Sequence, residues 1–185
     1  MNRQWVLVGG IVALLAVAAM AMVKFSPERT GVEIGERAPD YKALDIATGD
    51  SVTLREAGKG AVAIVNIWAT WCAPCKEEMP AMQRTYAELA PRGFKILAVS
   101  IDEAPATDVQ AFATELGLTF PLLHDKSGRI QQVYRTTGVP ESFLLDRDGR
   151  IVKRVIGAHD WSSAANRKLI ERYLGGDAAS SSSTN

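Results

Sequence analysis

Cys72 and Cys75 are the two cysteines of this 185-residue chain, and only Ala73 and Pro74 separate them. An apolar run over residues 61–68 leads into the pair. A helical pattern follows, with Met79, Met82, Tyr86 and Leu89 on one stripe. The cysteines therefore fall where a buried strand ends and a helix begins, and a CxxC in that setting reads as a redox pair. Unsatisfied N–H groups and partial positive charge at a helix N-terminus favour thiolate over thiol. The thiolate is the form that attacks disulfides. Cys72, nearest the helix start, is the expected nucleophile, and Cys75, one turn deeper, the resolving thiol.

Two plainer uses of the pair fit less well. A structural disulfide closing so short a loop removes little chain entropy. Structural zinc needs four ligands, and the remaining candidates, His124 and His159, are not at ligand spacing.

Composition narrows the classes further. Apolar residues make up 47% of the chain, enough for one proper core with appendages. Lys plus Arg and Asp plus Glu both number 21, so the formal net charge is zero. Without a basic stripe interleaved with aromatics, nucleic acid is not expected as a partner. There is no internal repeat and no Gly-rich phosphate loop, and no cofactor or metal is expected beyond the cysteine pair itself.

The elements that must position the cysteines read in order. Residues 1–24 carry Arg3, an uncharged apolar run over 5–23, and Lys24. That run is close to the roughly 20 residues that span a bilayer. It reads as an uncleaved anchor, with a cleaved signal peptide as the alternative because Ala19-Met20-Ala21 has the small-x-small form. No cysteine near it could carry a lipid. The domain is placed outside the cytoplasm, since a short N-tail before an export-type segment stays inside. Residues 25–34 are a linker, 35–175 the folded domain and 176–185 a Ser-rich disordered tail.

Within the domain, short alternating runs around Thr48-Gly49-Asp50 predict a β-hairpin over 41–54. The run over 61–68 is apolar on both faces and should be a central strand. A kink is expected at Pro80 inside the following helix. Residues 94–101 form the next buried strand. Thr107 and Gln110 suggest a capping box opening a helix with Val109, Phe112, Ala113 and Leu116 inward, stopped at Gly117. A short strand lies within 119–123. Ser127 opens a short helix with Ile130, Val133 and Tyr134 inward. Strands over 142–145 and 151–156 join through Asp148-Gly149. Asp160 should cap a last helix with Trp161, Ala165, Leu169 and Tyr173 inward, ended by Gly175. Trp68 and Trp161 read as core, and His124 and His159 as surface or capping residues.

The order hairpin, β-α-β-α, β-β-α is the plan of a thioredoxin-like α/β domain: a mixed central sheet flanked by helices, with an extra N-terminal hairpin. The segment Trp68-Ala69-Thr70-Trp71-Cys72-Ala73-Pro74-Cys75-Lys76-Glu77-Glu78-Met79-Pro80 resembles the active-site stretch of the TlpA/ResA-like thioredoxins, a branch of the AhpC/TSA-redoxin superfamily. So do Gly35-Glu36-Arg37-Ala38-Pro39-Asp40 and Gly138-Val139-Pro140. The resemblance implies a membrane-tethered protein on the outer face of the bacterial inner membrane. It also implies that the protein reduces disulfides in client proteins, often apocytochrome c before haem attachment. A membrane electron donor of the DsbD/CcdA kind would recharge it.

Carried over by position, the resemblance makes Cys72 and Cys75 the catalytic pair and Pro140 a cis-proline beside them. Trp71, Pro74, Val139 and Pro140 would form the client-binding surface. Glu78 would be the acid placed near the pair. The residues add a reason of their own: Glu78 borders the buried stripe, where desolvation would raise its pKa and suit it to relay a proton.

There is one departure. The position that holds a buried Asp in thioredoxins proper is Asn66 here, which leaves Glu78 to supply any carboxylate. Peroxiredoxins need Thr and Pro where this chain has Ala69 and Val65, and copper-delivery relatives use CxxxC. The competing readings are a non-catalytic binding module and a copper or thiol chaperone. The first predicts partner binding that survives loss of both cysteines, the second tight Cu(I) binding by the reduced pair.

Overall fold

The computed structural model describes residues 11–18, 20 and 30–175. Residues 11–18 and 20 are helical and exposed. The rest of the expected anchor, most of the linker and the Ser-rich tail lie outside the described residues. Among the described residues, no helix is long and apolar enough to cross a membrane.

The chain from residue 42 runs through β1 (Lys42–Asp45), β2 (Ser51–Thr53), α1 (Leu54–Gly58), β3 (Val62–Trp68), α2 (Ala73–Leu89), a short 3-10 turn, β4 (Phe94–Ser100) and α3 (Ala106–Glu115). It continues through β5 (Leu122–His124), α4 (Ile130–Val133), β6 (Glu141–Leu145), β7 (Ile151–Ile156) and α5 (Ala164–Leu174). The described residues form one seven-stranded sheet in the order β2-β1-β5-β4-β3-β6-β7. β3 pairs in parallel with β4 and antiparallel with β6, so the sheet is mixed and β3 is interior. Every residue of β3 is buried, which is why its sequence shows no alternation. The hairpin β1–β2 is present and extends the sheet through β1 against β5.

The loops follow turn chemistry. β6 and β7 join across Asp146, whose side chain accepts the N–H groups of Asp148 and Arg150 at 2.9 Å each, with Gly149 at φ +77°. A β-bulge at Leu144/Leu145 absorbs the register change there.

Several expectations give way. α1 was not anticipated. Thr53 and Glu56 form its capping box. Pro80 lies inside α2 without ending it, the helix continuing to Leu89. α3 begins after Pro105 without a side-chain cap, and the Thr107 hydroxyl bonds Asp108 instead of closing a box with Gln110. In α4, Ile130 is buried, as is Tyr134 just beyond it, whereas Val133 is exposed. Ser163, not Asp160, caps α5, while Asp160 holds the preceding turn through Ser162. That later start turns the helix. Asn166, Ile170 and Leu174 face inward, Ala165 is exposed, and Leu169 and Tyr173 are only half-buried. His124 is buried rather than superficial, its Nε2 2.8 Å from the Asp102 carbonyl oxygen.

Candidate active site

The sheet delivers the cysteines at the carboxyl end of β3. Cys72 is the N-cap of α2, in an extended conformation, with Pro74 in the first turn, where its missing N–H costs nothing. Cys72 and Cys75 are joined as a disulfide with Cα atoms 5.2 Å apart. The Cys75 N–H donates to Cys72 Sγ at 3.2 Å, so this sulfur occupies the place of a capping oxygen. After reduction the same N–H and the helix dipole would face a thiolate. Both sulfur-bearing residues are buried, Cys75 completely. Trp71 beside them is 66% exposed, an apolar surface left open by the described residues.

The loop entering β6 approaches from the other side. The Val139–Pro140 peptide bond is cis, and Cys72 Sγ lies 3.5 Å from the Val139 carbonyl oxygen. Trp71, Cys72, Pro74, Val139 and Pro140 thus gather at one end of the sheet. Pro140 is buried and Val139 half-buried, while Pro74 is exposed.

Glu78 sits one turn after Cys75 on α2 and is 3% exposed, in contrast to exposed Glu77. Asn66 Nδ2 donates to Glu78 Oε1 at 2.8 Å and to Ser142 Oγ at 2.9 Å, across the Asn66–Ser142 register pair of β3 and β6. The His159 backbone N–H donates to Glu78 Oε2 at 3.2 Å. Burial pushes the carboxyl pKa up to about 7, against these two hydrogen bonds, which favour the charged form. A cleft of about 280 Å³ between α2 and the β7–α5 loop, lined by Arg84, His159 and Asp160 among others, reaches the carboxyl from solvent. The amide of Asn66, buried in β3, thus grips Glu78.

Two supports were not visible in the sequence reading. Asp102, buried at the end of β4, accepts the Thr70 N–H at 3.0 Å, the Thr70 hydroxyl at 2.6 Å and the Ser100 hydroxyl at 2.6 Å. It pins the short loop between β3 and Cys72. Glu141, fully buried directly after Pro140, pairs with Arg154 at 2.6 Å and accepts the Thr137 N–H at 3.2 Å. Arg154 also donates to the Arg135 carbonyl, so this pair fixes both ends of the 135–140 loop. The Thr70-x-Cys72 and Pro140-Glu141 adjacencies were the only sequence signals for either support.

The geometry agrees with the comparisons to known proteins. A model of the AhpC/TSA family matches residues 34–154. The thiol-disulfide oxidoreductase ResA of Geobacillus thermodenitrificans is 34% identical over 159 residues, covering 84% of this chain and 90% of that protein. ResA of Oceanobacillus iheyensis is 36% identical over 153 residues, covering 80% of this chain and 78% of that one. Among solved structures, a thiol:disulfide interchange protein from Bacteroides sp. superposes with a TM-score of 0.67 at 25% identity, covering 80% of this chain and 93% of that one. With its CxxC disulfide at the N-cap of α2, the chain belongs to the AhpC/TSA family, as a thioredoxin-like thiol-disulfide oxidoreductase homologous to the ResA proteins.

Proposed function

We propose that the protein reduces disulfides of client proteins outside the cytoplasm, through Cys72. The observation that carries this is the capping sulfur: Cys72 Sγ accepts a helix N–H and adjoins the Val139 carbonyl beside an exposed tryptophan. In the reduced protein, the Cys72 thiolate attacks one client sulfur, forming a Cys72–client disulfide and expelling the other client sulfur as a thiolate. Cys75 then gives its proton to the Glu78 carboxylate and attacks Cys72 Sγ. The Cys72–Cys75 disulfide forms and the client leaves with two electrons gained, its thiolates taking protons from solvent. An external dithiol must return two electrons before the next turnover.

Trp71, Pro74, Val139 and Pro140 are assigned to client docking, with the backbone beside Pro140 offering an edge to an extended client segment. Apocytochrome c is the client class that the ResA relationship favours, and a membrane dithiol carrier of the DsbD/CcdA kind the favoured donor. Residues 1–24 would tether the domain, taken as 35–175, to the outer face of the inner membrane.

The test is trapping. The Cys75→Ser variant should accumulate a covalent adduct with a disulfide-bearing client, visible on non-reducing gels and released by dithiothreitol. The Cys72→Ser,Cys75→Ser double variant should form none. Equal adduct in both would refute the assignment.

A further inference from the structure

Resting on the reading of Glu78 as proton acceptor, a second layer of residues can be assigned. One of the two hydrogen bonds to its carboxyl comes from the main chain of His159, in the loop between β7 and α5, 81 positions away in sequence. A loop N–H is only as well placed as its loop. Here the loop is held by its own ring. His159 Nε2 lies 3.1 Å from Lys153 Nζ on β7 and 2.8 Å from Asn166 Nδ2 on α5. Ammonium and amide nitrogens are donors only, so Nε2 is the acceptor and the ring proton sits on Nδ1.

The grip closes on itself. Lys153 Nζ donates to Asn166 Oδ1 at 2.7 Å, and Asn166 Nδ2 donates to the Asp160 carbonyl at 2.7 Å. Trp161, fully buried, packs edge-on to the His159 ring at 5.0 Å and lies under the Lys153 ammonium at 5.5 Å. Asn166 is buried on an inward position that an apolar residue would ordinarily take, and burial lowers the Lys153 pKa. Polar groups held in such a place call for a task.

We propose that Lys153 and Asn166 are positioning residues for Glu78: by gripping the His159 ring they hold its backbone N–H on the carboxyl oxygen. The cysteine end of the helix and the β7–α5 loop are thereby coupled through one main-chain hydrogen bond. The groups around Glu78 are Asn66 from the sheet, itself bonded to Ser142, Glu77 and Arg84 from α2, and His159 and Asp160 from the loop, with Lys153 behind the ring.

The sign follows from the bond. The N–H favours the charged carboxyl, so loosening it raises the pH at which Glu78 loses its proton. The experiment follows disulfide reduction by the full chain from pH 5 to 9 in wild type, Asn166→Ala, His159→Phe and Glu78→Gln. Asn166→Ala changes no titratable group, His159→Phe removes only the imidazole, and both leave Lys153 in place. Both should move the inflection upward by at least about 0.5 pH, a single hydrogen bond to a charged group being worth that much or more. Glu78→Gln should abolish the inflection. If Glu78→Gln does so while the other two variants leave the midpoint unmoved, the positioning role is refuted and the Glu78 reading stands. If the inflection survives in Glu78→Gln, the Glu78 reading itself fails. Should Asn166→Ala not fold, His159→Phe decides alone, because it keeps the backbone N–H and the ring packing against Trp161.

Discussion

The two cysteines of the pair have Cα atoms 5.2 Å apart, yet their sulfurs occupy different chemical worlds. Around Cys72 the near polar groups are main chain: the Cys75 N–H, the Val139 carbonyl and the first turn of α2. Around Cys75 the chain builds inward, to a buried carboxyl gripped by Asn66 and His159. In the mechanism proposed above, the first sulfur owes its reactivity to fixed dipoles, and the second depends on a titratable side chain whose own acidity is tuned by burial. The difference teaches that nucleophile and resolver can be adjusted separately, one by backbone geometry and the other by hydration of a carboxyl.

The largest expected effect breaks the outer half. Cys72→Ser should reduce turnover of a protein disulfide such as insulin to the uncatalysed background, because serine offers no thiolate. Undiminished turnover would end the account of the site.

Next comes the inner half. Glu78→Gln should slow release of the client from the Cys72 adduct by roughly 100-fold, the lower range for losing a general base. Formation of the adduct by a small disulfide should change little, since it needs only Cys72. Stopped-flow of the two steps separates them, and equal slowing of both would erase the proposed division.

The same carboxyl makes a stability prediction. Its pKa rises from 4.5 in the ordinary state to about 7 in the fold, so the native state binds more protons than the unfolded chain between those limits. Stability conferred by the proton is therefore complete below about pH 4.5 and lost as the pH rises through about 7, by roughly 3 kcal/mol. Urea unfolding across that window should show the decline in wild type and lack it in Glu78→Gln.

A smaller effect tests the loop that carries Cys72. Asp102→Ala orphans the half-buried Thr70 N–H and the buried Ser100 hydroxyl and should cost about 1–3 kcal/mol on urea unfolding. It should also slow attack by Cys72 more than resolution by Cys75. The smallest effect is a control at the far end of the sheet: Thr53→Ala removes the cap of α1, should cost about 1 kcal/mol, and should leave both sulfurs unaffected.

The outer half of this comparison was the more legible in sequence. Cys72, Pro74 and the run into β3 are contiguous, and local rules of capping and strand burial locate them. Glu78 was legible because three residues along a helix is a fixed displacement. The partners of Glu78 were legible only in part. Asn66 stood out as an amide in an apolar run, but its pairing with Ser142 depends on the register of β3 against β6. The His159 grip was invisible, because it needs α5 to begin at Ser163 rather than Asp160. One early cap rotated the helix and hid Asn166 on the solvent side. Glu141 and Arg154 meet across the β6–β7 hairpin, where a bulge shifts the register that simple counting would assign. Long-range pairs of this kind are written in topology, not in local pattern.

The most direct test is the acidity of the outer sulfur in the reduced protein. Alkylation of Cys72 by iodoacetamide, followed by mass spectrometry from pH 5 to 10, reads its thiolate fraction. Dipoles converging on the N-cap predict half-ionisation well below the free-cysteine value of about 8.5. Titration at or above that value would contradict the account.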